Sequence, residues 1–253
     1  MVTLKTNSEL ALMRQAGQIL ARLLTELEGE VREGIKTKDL DAIASNLARE
    51  AGVKPSFKGY NGFPASLCTS VNDEIVHGIP GERILRRGDI ISLDFGVIYQ
   101  GFQADAAITV GVGKISPEAK ALIEATRGAL EAGIAAARAG ARLGDISAAV
   151  QEYAESRGFS VIREYTGHGI GRQMHEDPLV PNFGVPGTGI LLKEGMTLAI
   201  EPMLSLGDWH TKVSSDGWLV RTLDSSLSAH FEHTIAITKN GPEILTLMRP
   251  EHA

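Results

Sequence analysis

The chain of 253 residues is short of several things. Its one cysteine, Cys68, excludes a disulfide within the chain and fits a reducing compartment. No apolar run approaches the ~20 residues needed to cross a bilayer, and Met1 to Ser8 contains no hydrophobic stretch of the secretory kind. These absences lead us to expect a cytoplasmic protein with no membrane association. Basic residues are outnumbered, 25 Lys and Arg against 31 Asp and Glu, for a net charge of -6. That balance argues against sequence-independent binding to nucleic acid or to a membrane surface.

Familiar cofactor signatures are missing too. His175-Glu176 runs into Asp177-Pro178-Leu179 and never completes H-E-x-x-H. Gly167-His168-Gly169-Ile170-Gly171 is not G-x-G-x-x-G, and Gly111-Val112-Gly113-Lys114 lacks phosphate-loop spacing. Hydride transfer and NTP hydrolysis are thereby excluded. No Pro/Ser-rich linker divides the chain, so one domain spanning residues 1–253 is expected. A hydrophobic content of 43% with 22% charged residues is ample for a core.

What is present is a repeat. Gly34, Asp39 and Gly52 recur as Gly140, Asp145 and Gly158, with Leu40 echoed by Ile146, all 106 residues on. His77-Gly78-Ile79 recurs as His168-Gly169-Ile170. Arg87-Gly88-Asp89-Ile90-Ile91-Ser92-Leu93-Asp94 is matched by Glu194-Gly195-Met196-Thr197-Leu198-Ala199-Ile200-Glu201, and Asp105-Ala106-Ala107-Ile108 by Glu232-His233-Thr234-Ile235. The halves are roughly 1–113 and 114–253. Leu10, Met13, Gly17, Leu20, Leu24 and Leu27 share a helical face after Asn7/Ser8, and Leu40, Ile43, Ala44 and Leu47 follow Thr37. Gly52 ends that second helix. Ser116-Pro117 is a cap followed by proline at the first helical position, and Asp145 to Arg157 reads as a fourth helix closed by Gly158. Two helices followed by strands, twice over, describe an α+β fold with pseudo-twofold symmetry and a site where the halves meet.

The acids carry the chemistry. Residues 90–99 and 102–111 read as two arms of a hairpin around Tyr99-Gln100-Gly101. A turn centred between Tyr99 and Gln100 would set Asp94 opposite Asp105, with Cβ atoms roughly 4.5–5.5 Å apart. Like charges so placed destabilise a sheet, share a proton, or hold cations between them. A protonated dyad or solvent-facing charges would explain one acid. Two duplicated pairs, with His168 nearby, favour a divalent metal pair, and four carboxylates with one imidazole suit Mn, Fe(II) or Co better than a thiolate-rich zinc site would.

The segments Asn72-Asp73-Glu74-Ile75-Val76-His77-Gly78-Ile79-Pro80, Tyr165 to Gly171, Ile200-Glu201-Pro202-Met203 and Ser228-Ala229-His230-Phe231-Glu232-His233-Thr234 resemble those of type I methionine aminopeptidases, from Leu10 to about Leu247. The resemblance implies the pita-bread fold, a curved, mostly antiparallel sheet covered by helices, and removal of N-terminal methionine from nascent chains when the second residue is small. It implies a two-metal site (Co, Mn, Fe(II) or Zn) ligated by Asp94, Asp105, His168, Glu201 and Glu232, with Asp105 and Glu232 shared. Glu201 would move protons, His77 would contact the scissile backbone, and His175 would polarise the carbonyl.

The same resemblance implies a methionine pocket of Tyr60, Phe63, Cys68 and Trp218 edged by Phe57 and Met174. Phe57, Phe63 and Met174 stand where cysteine, tyrosine and phenylalanine are frequent in such enzymes, and Ala106 stands where a hydroxyl residue is common. Its loss is expected to weaken hydrogen bonding around the metals. His210, His230 and His233 are assigned structural or solvated places. A monomer with transient ribosome contact is expected. The alternatives are a proline-specific aminopeptidase or prolidase of the same fold, and a non-catalytic binding protein that kept it.

Overall fold

The computed structural model describes residues 2–248. Helix α1 (Asn7–Glu30) is capped one residue before the expected start: Thr6 Oγ1 accepts the Glu9 N–H while Glu9 Oε2 accepts the Thr6 N–H. The predicted stripe, Leu10 through Leu27, is buried. Helix α2 (Thr37–Glu50) is capped at Lys36, not Thr37, because Asp39 reaches back to accept the Lys36 N–H. The Thr37 hydroxyl instead exchanges two hydrogen bonds with the backbone of Gly81. Helix α3 (Pro117–Ala136) begins as expected, with Ser116 Oγ accepting the Ala119 N–H at 3.1 Å. Helix α4 (Leu143–Glu155) starts and stops two residues early, since Asp145 occupies the third helical position and accepts the Arg142 N–H at 2.7 Å.

The repeat is therefore a repeat of backbone geometry. Gly34 and Gly140 have φ 88° and 91°, Gly52 and Gly158 have φ 70° and 83°, all in the left-handed region that a Cβ disfavours. Asp39 and Asp145 cap equivalent helices, and Leu40 and Ile146 are both fully buried. Lys36 bridges to Ile84 as Arg142 bridges to Leu191.

Strands β1 (Lys54–Pro55), β2 (Leu67–Val71), β3 (Glu74–Val76), β4 (Ile90–Tyr99) and β5 (Phe102–Gly111) follow the first helix pair. After the second come β6 (Ser160–Val161), β7 (Thr166–Gly169), β8 (Glu176–Pro181), β9 (Thr197–Ile200) and β10 (Met203–Ser205). The last are β11 (Thr211–Val213), β12 (Val220–Thr222), β13 (Ser228–His230), β14 (Glu232–Thr238) and β15 (Gly241–Ile244). The main sheet runs β1-β4-β5-β14-β9-β7-β8, with β2 also on β4 and β15 also on β14, every pair antiparallel. Strands β5 and β14, from opposite halves, meet at its centre through Glu232↔Ala107 and His233↔Ala106.

Each helix pair covers one part of the sheet. Leu20, Leu24, Leu40 and Ala44 pack on Leu93, Phe95 and Ala104. Leu122, Leu130, Ile146 and Val150 pack on Leu198, Ile200 and Ile235. The opposite face of the central strands is left for the site.

The hairpin register differs from the expectation. Gln100 and Gly101 both have positive φ, 48° and 83°, the pattern of a two-residue loop whose twist matches the flanking strands. Tyr99 therefore pairs with Phe102, Asp94 faces Ala107 and Asp105 faces Gly96. The shift is two residues, one full side-chain period, so both acids keep the same face of the sheet as diagonal neighbours.

Gly17 shows how tightly α1 is seated, because a Cβ there would lie 2.3 Å from the Leu245 carbonyl oxygen. Gly17→Ala should lower unfolding free energy by ~1–3 kcal/mol. Gly29→Ala, on the same helix with nothing within 4 Å, should leave stability unchanged or raise it by up to about 1 kcal/mol. Urea denaturation of both variants checks the pair.

Candidate functional site

All thirteen residues expected to hold metal, bind substrate or act in catalysis line one cavity of about 380 Å³. Asp94 comes from β4 and Asp105 from β5. His168 comes from β7, Glu201 directly follows β9, and Glu232 opens β14. One donor atom from each of Asp105, His168 and Glu232 falls within 4.8 Å of the others, and all three residues are buried. Glu201 Oε1 is 3.5 Å from His168 Nε2.

Burial drives the electrostatics. It pushes the carboxyls of Asp94, Asp105, Glu201 and Glu232 above the ordinary range, and each of the last three is raised further by neighbouring acid charges. Asp94 Oδ1, Asp105 Oδ1 and Glu232 Oε1 are buried without a hydrogen-bond partner among the described residues. Oxygens so placed must be protonated or meet cations. His168 completes the set: its Nδ1 lies 2.8 Å from the Gly169 carbonyl, so Nδ1 carries the proton and Nε2 presents a lone pair. Burial lowers its pKa to about 3, which keeps the ring neutral. Oxygen donors of excess negative charge beside a neutral imidazole are a fitting nest for hard or borderline divalent ions.

Beside the acids the wall turns apolar. Phe57, Phe63, Cys68 and Met174 belong to one buried cluster with Tyr60 and Trp218 against it, and Phe63 meets Trp218 edge-on with centroids 5.2 Å apart. Such a pocket suits a thioether side chain. Gly96 keeps it open, since a Cβ there would come within 3.1 Å of Ser56, Phe57 and Met174 atoms. Burial, then the Asp94 and Asp105 charges, raise the Cys68 thiol well above its ordinary value, so it stays protonated and is no nucleophile.

Two histidines flank the acids. His77 follows β3 with a left-handed φ of 61°. Gly78 lets the loop touch β2, because a Cβ there would sit 2.0 Å from the Thr69 carbonyl oxygen. Burial lowers the His77 pKa to about 4. His175 Nδ1 is 2.7 Å from the Tyr60 hydroxyl, and its ring lies 4.3 Å from that of His168. Its turn is tied down by Glu176, which accepts from buried Lys5 Nζ at 2.5 Å and from the Gln173 N–H at 3.1 Å.

Several residues escaped the sequence reading. Tyr165, whose ring is 5.9 Å from that of His77, and Asn61, Val76, Glu164, Thr166 and Leu179 complete the wall. Tyr165 and Thr166 adjoin the Gly-His-Gly motif, a signal that was available. Lys5 gave none, because its partner is 171 residues away. His233 is structural as expected, held to Thr246 Oγ1 at 2.9 Å. His210 is exposed and pairs with Asp208. His230, expected to be structural or solvated, is buried beside Glu201 and Glu232, with neither ring nitrogen hydrogen-bonded among the described residues. Ala106 lies in the helix-facing core with Phe95 and Leu93, on the face opposite Asp105. A hydroxyl there would point away from the acids, so the expected weakening of their hydrogen bonding does not follow.

The profile of metallopeptidase family M24 matches residues 11–239. The "Methionine aminopeptidase" of Clostridium perfringens is 53% identical over 98% of this chain and 100% of its own length. The "Methionine aminopeptidase 1" of Bacillus subtilis is 51% identical over 97% and 99%. The crystal structure of methionine aminopeptidase from Thermotoga maritima superposes with a TM-score of 0.96 at 48% identity, covering 98% of this chain and 100% of that one. An X-Pro aminopeptidase from Thermotoga maritima shares the fold at a TM-score of 0.77 and 23% identity, with 63% of its length covered. The common architecture is the pita-bread fold, and the chain belongs to metallopeptidase family M24.

Proposed function

We propose that this protein is a metal-dependent aminopeptidase that removes N-terminal methionine from polypeptides whose second residue is small. One observation carries the reading: five metal-capable side chains and a thioether-sized apolar wall line the same cavity, in a chain about half identical to methionine aminopeptidases along its whole length. We take the chain as one catalytic domain whose two halves, 1–113 and 114–253, both donate ligands. It would act as a cytoplasmic monomer, meeting nascent chains through transient ribosome contact.

Asp94, Asp105, His168, Glu201 and Glu232 would hold two divalent ions. Their identity is Co, Mn, Fe(II) or Zn. Bound there, such ions lower the pKa of water so that a nucleophile exists near neutral pH. The chain's own residues do the rest. Phe57, Tyr60, Phe63, Cys68, Met174 and Trp218 take the methionine side chain and exclude water around it. Glu201 accepts a proton during attack and returns it to the departing amine. With the Tyr60 O–H donating to His175 Nδ1, the His175 proton sits on Nε2, free to donate to the oxygen on which charge develops. His77 contacts the backbone at the scissile bond.

Glu201→Gln removes the proton carrier with little change in volume. It should lower kcat on a Met-Ala-Ser peptide by about 10²–10⁴ while leaving the circular dichroism spectrum intact, and wild-type turnover would remove Glu201 from this role. Wild-type protein should cleave Met-Ala-Ser and leave X-Pro peptides uncut. The reverse preference would favour the proline-specific alternative.

The acids also set a pH dependence. Groups whose folded pKa is raised hold protons in the folded chain that the unfolded chain has released, so stability falls as pH rises toward the folded values. The buried histidines, lowered to about 3 or 4, are neutral in both states above roughly pH 7.5. The melting-temperature gain from a fixed excess of manganese should therefore be larger at pH 7.5 than at pH 6, because the metal-free Asp94 carboxyl, pushed to about 7, gives up its proton over that interval. A gain that shrinks from pH 6 to pH 7.5 would contradict the cluster's electrostatics.

A further inference from the structure

His230 is fixed at its backbone and unsatisfied at its ring. Its N–H donates to Thr109 Oγ1 at 2.9 Å, and the same hydroxyl donates to its carbonyl oxygen at 2.7 Å. It pairs with Met203 across β10 and β13. The side chain is 1% exposed, yet neither Nδ1 nor Nε2 has a hydrogen-bond partner among the described residues. A neutral imidazole has one N–H to give, and a buried donor left unpaired is rare and costly.

The acceptors are close by. Nε2 is 3.9 Å from Glu201 Oε2 and 4.0 Å from Glu232 Oε2, about 1 Å beyond an ordinary N–H···O bond. Both glutamates thus turn Oε2 toward His230. Their other oxygens are left for the cluster: Glu201 Oε1 faces His168 Nε2 at 3.5 Å, and Glu232 Oε1 is the buried atom with no donor. A single N–H placed between two such carboxylates can hold both in the rotation that presents Oε1 inward.

We propose that His230 is a positioning residue whose Nε2–H is shared by the Glu201 and Glu232 carboxylates, orienting their remaining oxygens to receive cations. The proposal rests on the metal-site reading above. His230 acts through the two glutamates and touches neither substrate nor ion.

The test uses the full chain, stripped of metal and titrated with cobalt(II), read by calorimetry and by the visible absorption of the bound ion. His230→Leu should weaken cobalt affinity about 10- to 100-fold. It should lower kcat on Met-Ala-Ser by about tenfold or more while KM changes less than about twofold, since the methionine pocket is untouched. His230→Gln keeps a neutral N–H donor in reach and should restore affinity and kcat to within about fivefold of wild type. If His230→Leu does not fold, His230→Met, a flexible side chain of similar volume, serves the same comparison. Wild-type affinity and kcat in the apolar variant would overturn the proposal. So would a glutamine variant as impaired as the apolar one with an altered cobalt spectrum, which would make the imidazole a direct ligand. A wild-type protein that takes up no cobalt would overturn the metal-site reading itself, whereas unchanged variants of a cobalt-binding wild type would overturn the role of His230 alone.

Discussion

Mutual repulsion among four crowded carboxyls, Asp105 and Glu232 buried and Asp94 and Glu201 half-buried, is the constraint around which this structure is arranged. Burial raises Asp94, Asp105, Glu201 and Glu232, neighbouring acid charges raise the last three further, and three of the cluster's oxygens have no protein donor among the described residues. A sheet gains nothing from such a cluster as packing; apolar residues of like volume would be more stable. The cluster is tolerated because the rest of the sheet is strongly specified. Helix pairs from both halves clamp its far face, and β5 and β14 cross-link the halves at the point where the acids meet. The Thr234 hydroxyl, exchanging two hydrogen bonds with the Asp105 backbone, adds a polar tie there.

The apolar wall and the acids are complementary parts of one device. A low-polarity pocket gives little selectivity for the position of a peptide bond, and a cluster of acids gives little selectivity for a side chain. Placed side by side, with His175 held by Tyr60 on one flank and His77 on the other, they would fix both in the proposed reaction. The turn bearing Met174 and His175 is stiffened from below by the Lys5–Glu176 pair, which ties the segment before α1 to the cavity.

How much of this was legible in the sequence follows from whether the cause was local. The helical stripes were legible because Leu10 through Leu27 recur at helical spacing, and the glycines because Gly34, Gly52, Gly140 and Gly158 occupy left-handed turns. Helix starts were misread at Thr6, Lys36 and Arg142, where an acid three residues on reaches back to make the cap. The hairpin register slipped by two because Gln100, a non-glycine residue, takes positive φ. The site acids were legible because duplication made them recur. Ala106 was misjudged because strand alternation sends its side chain to the helices. His230 and Lys5 were invisible because what distinguishes them is burial and a partner distant in sequence.

If cations replace protons at these acids, metal uptake releases protons. Isothermal titration of the metal-free protein with manganese(II) at pH 7.5, in two buffers of different ionisation enthalpy, tests it most directly. Saturation at two ions per chain with net release of protons is the expected result. Binding without proton release, or no uptake at all, would contradict it.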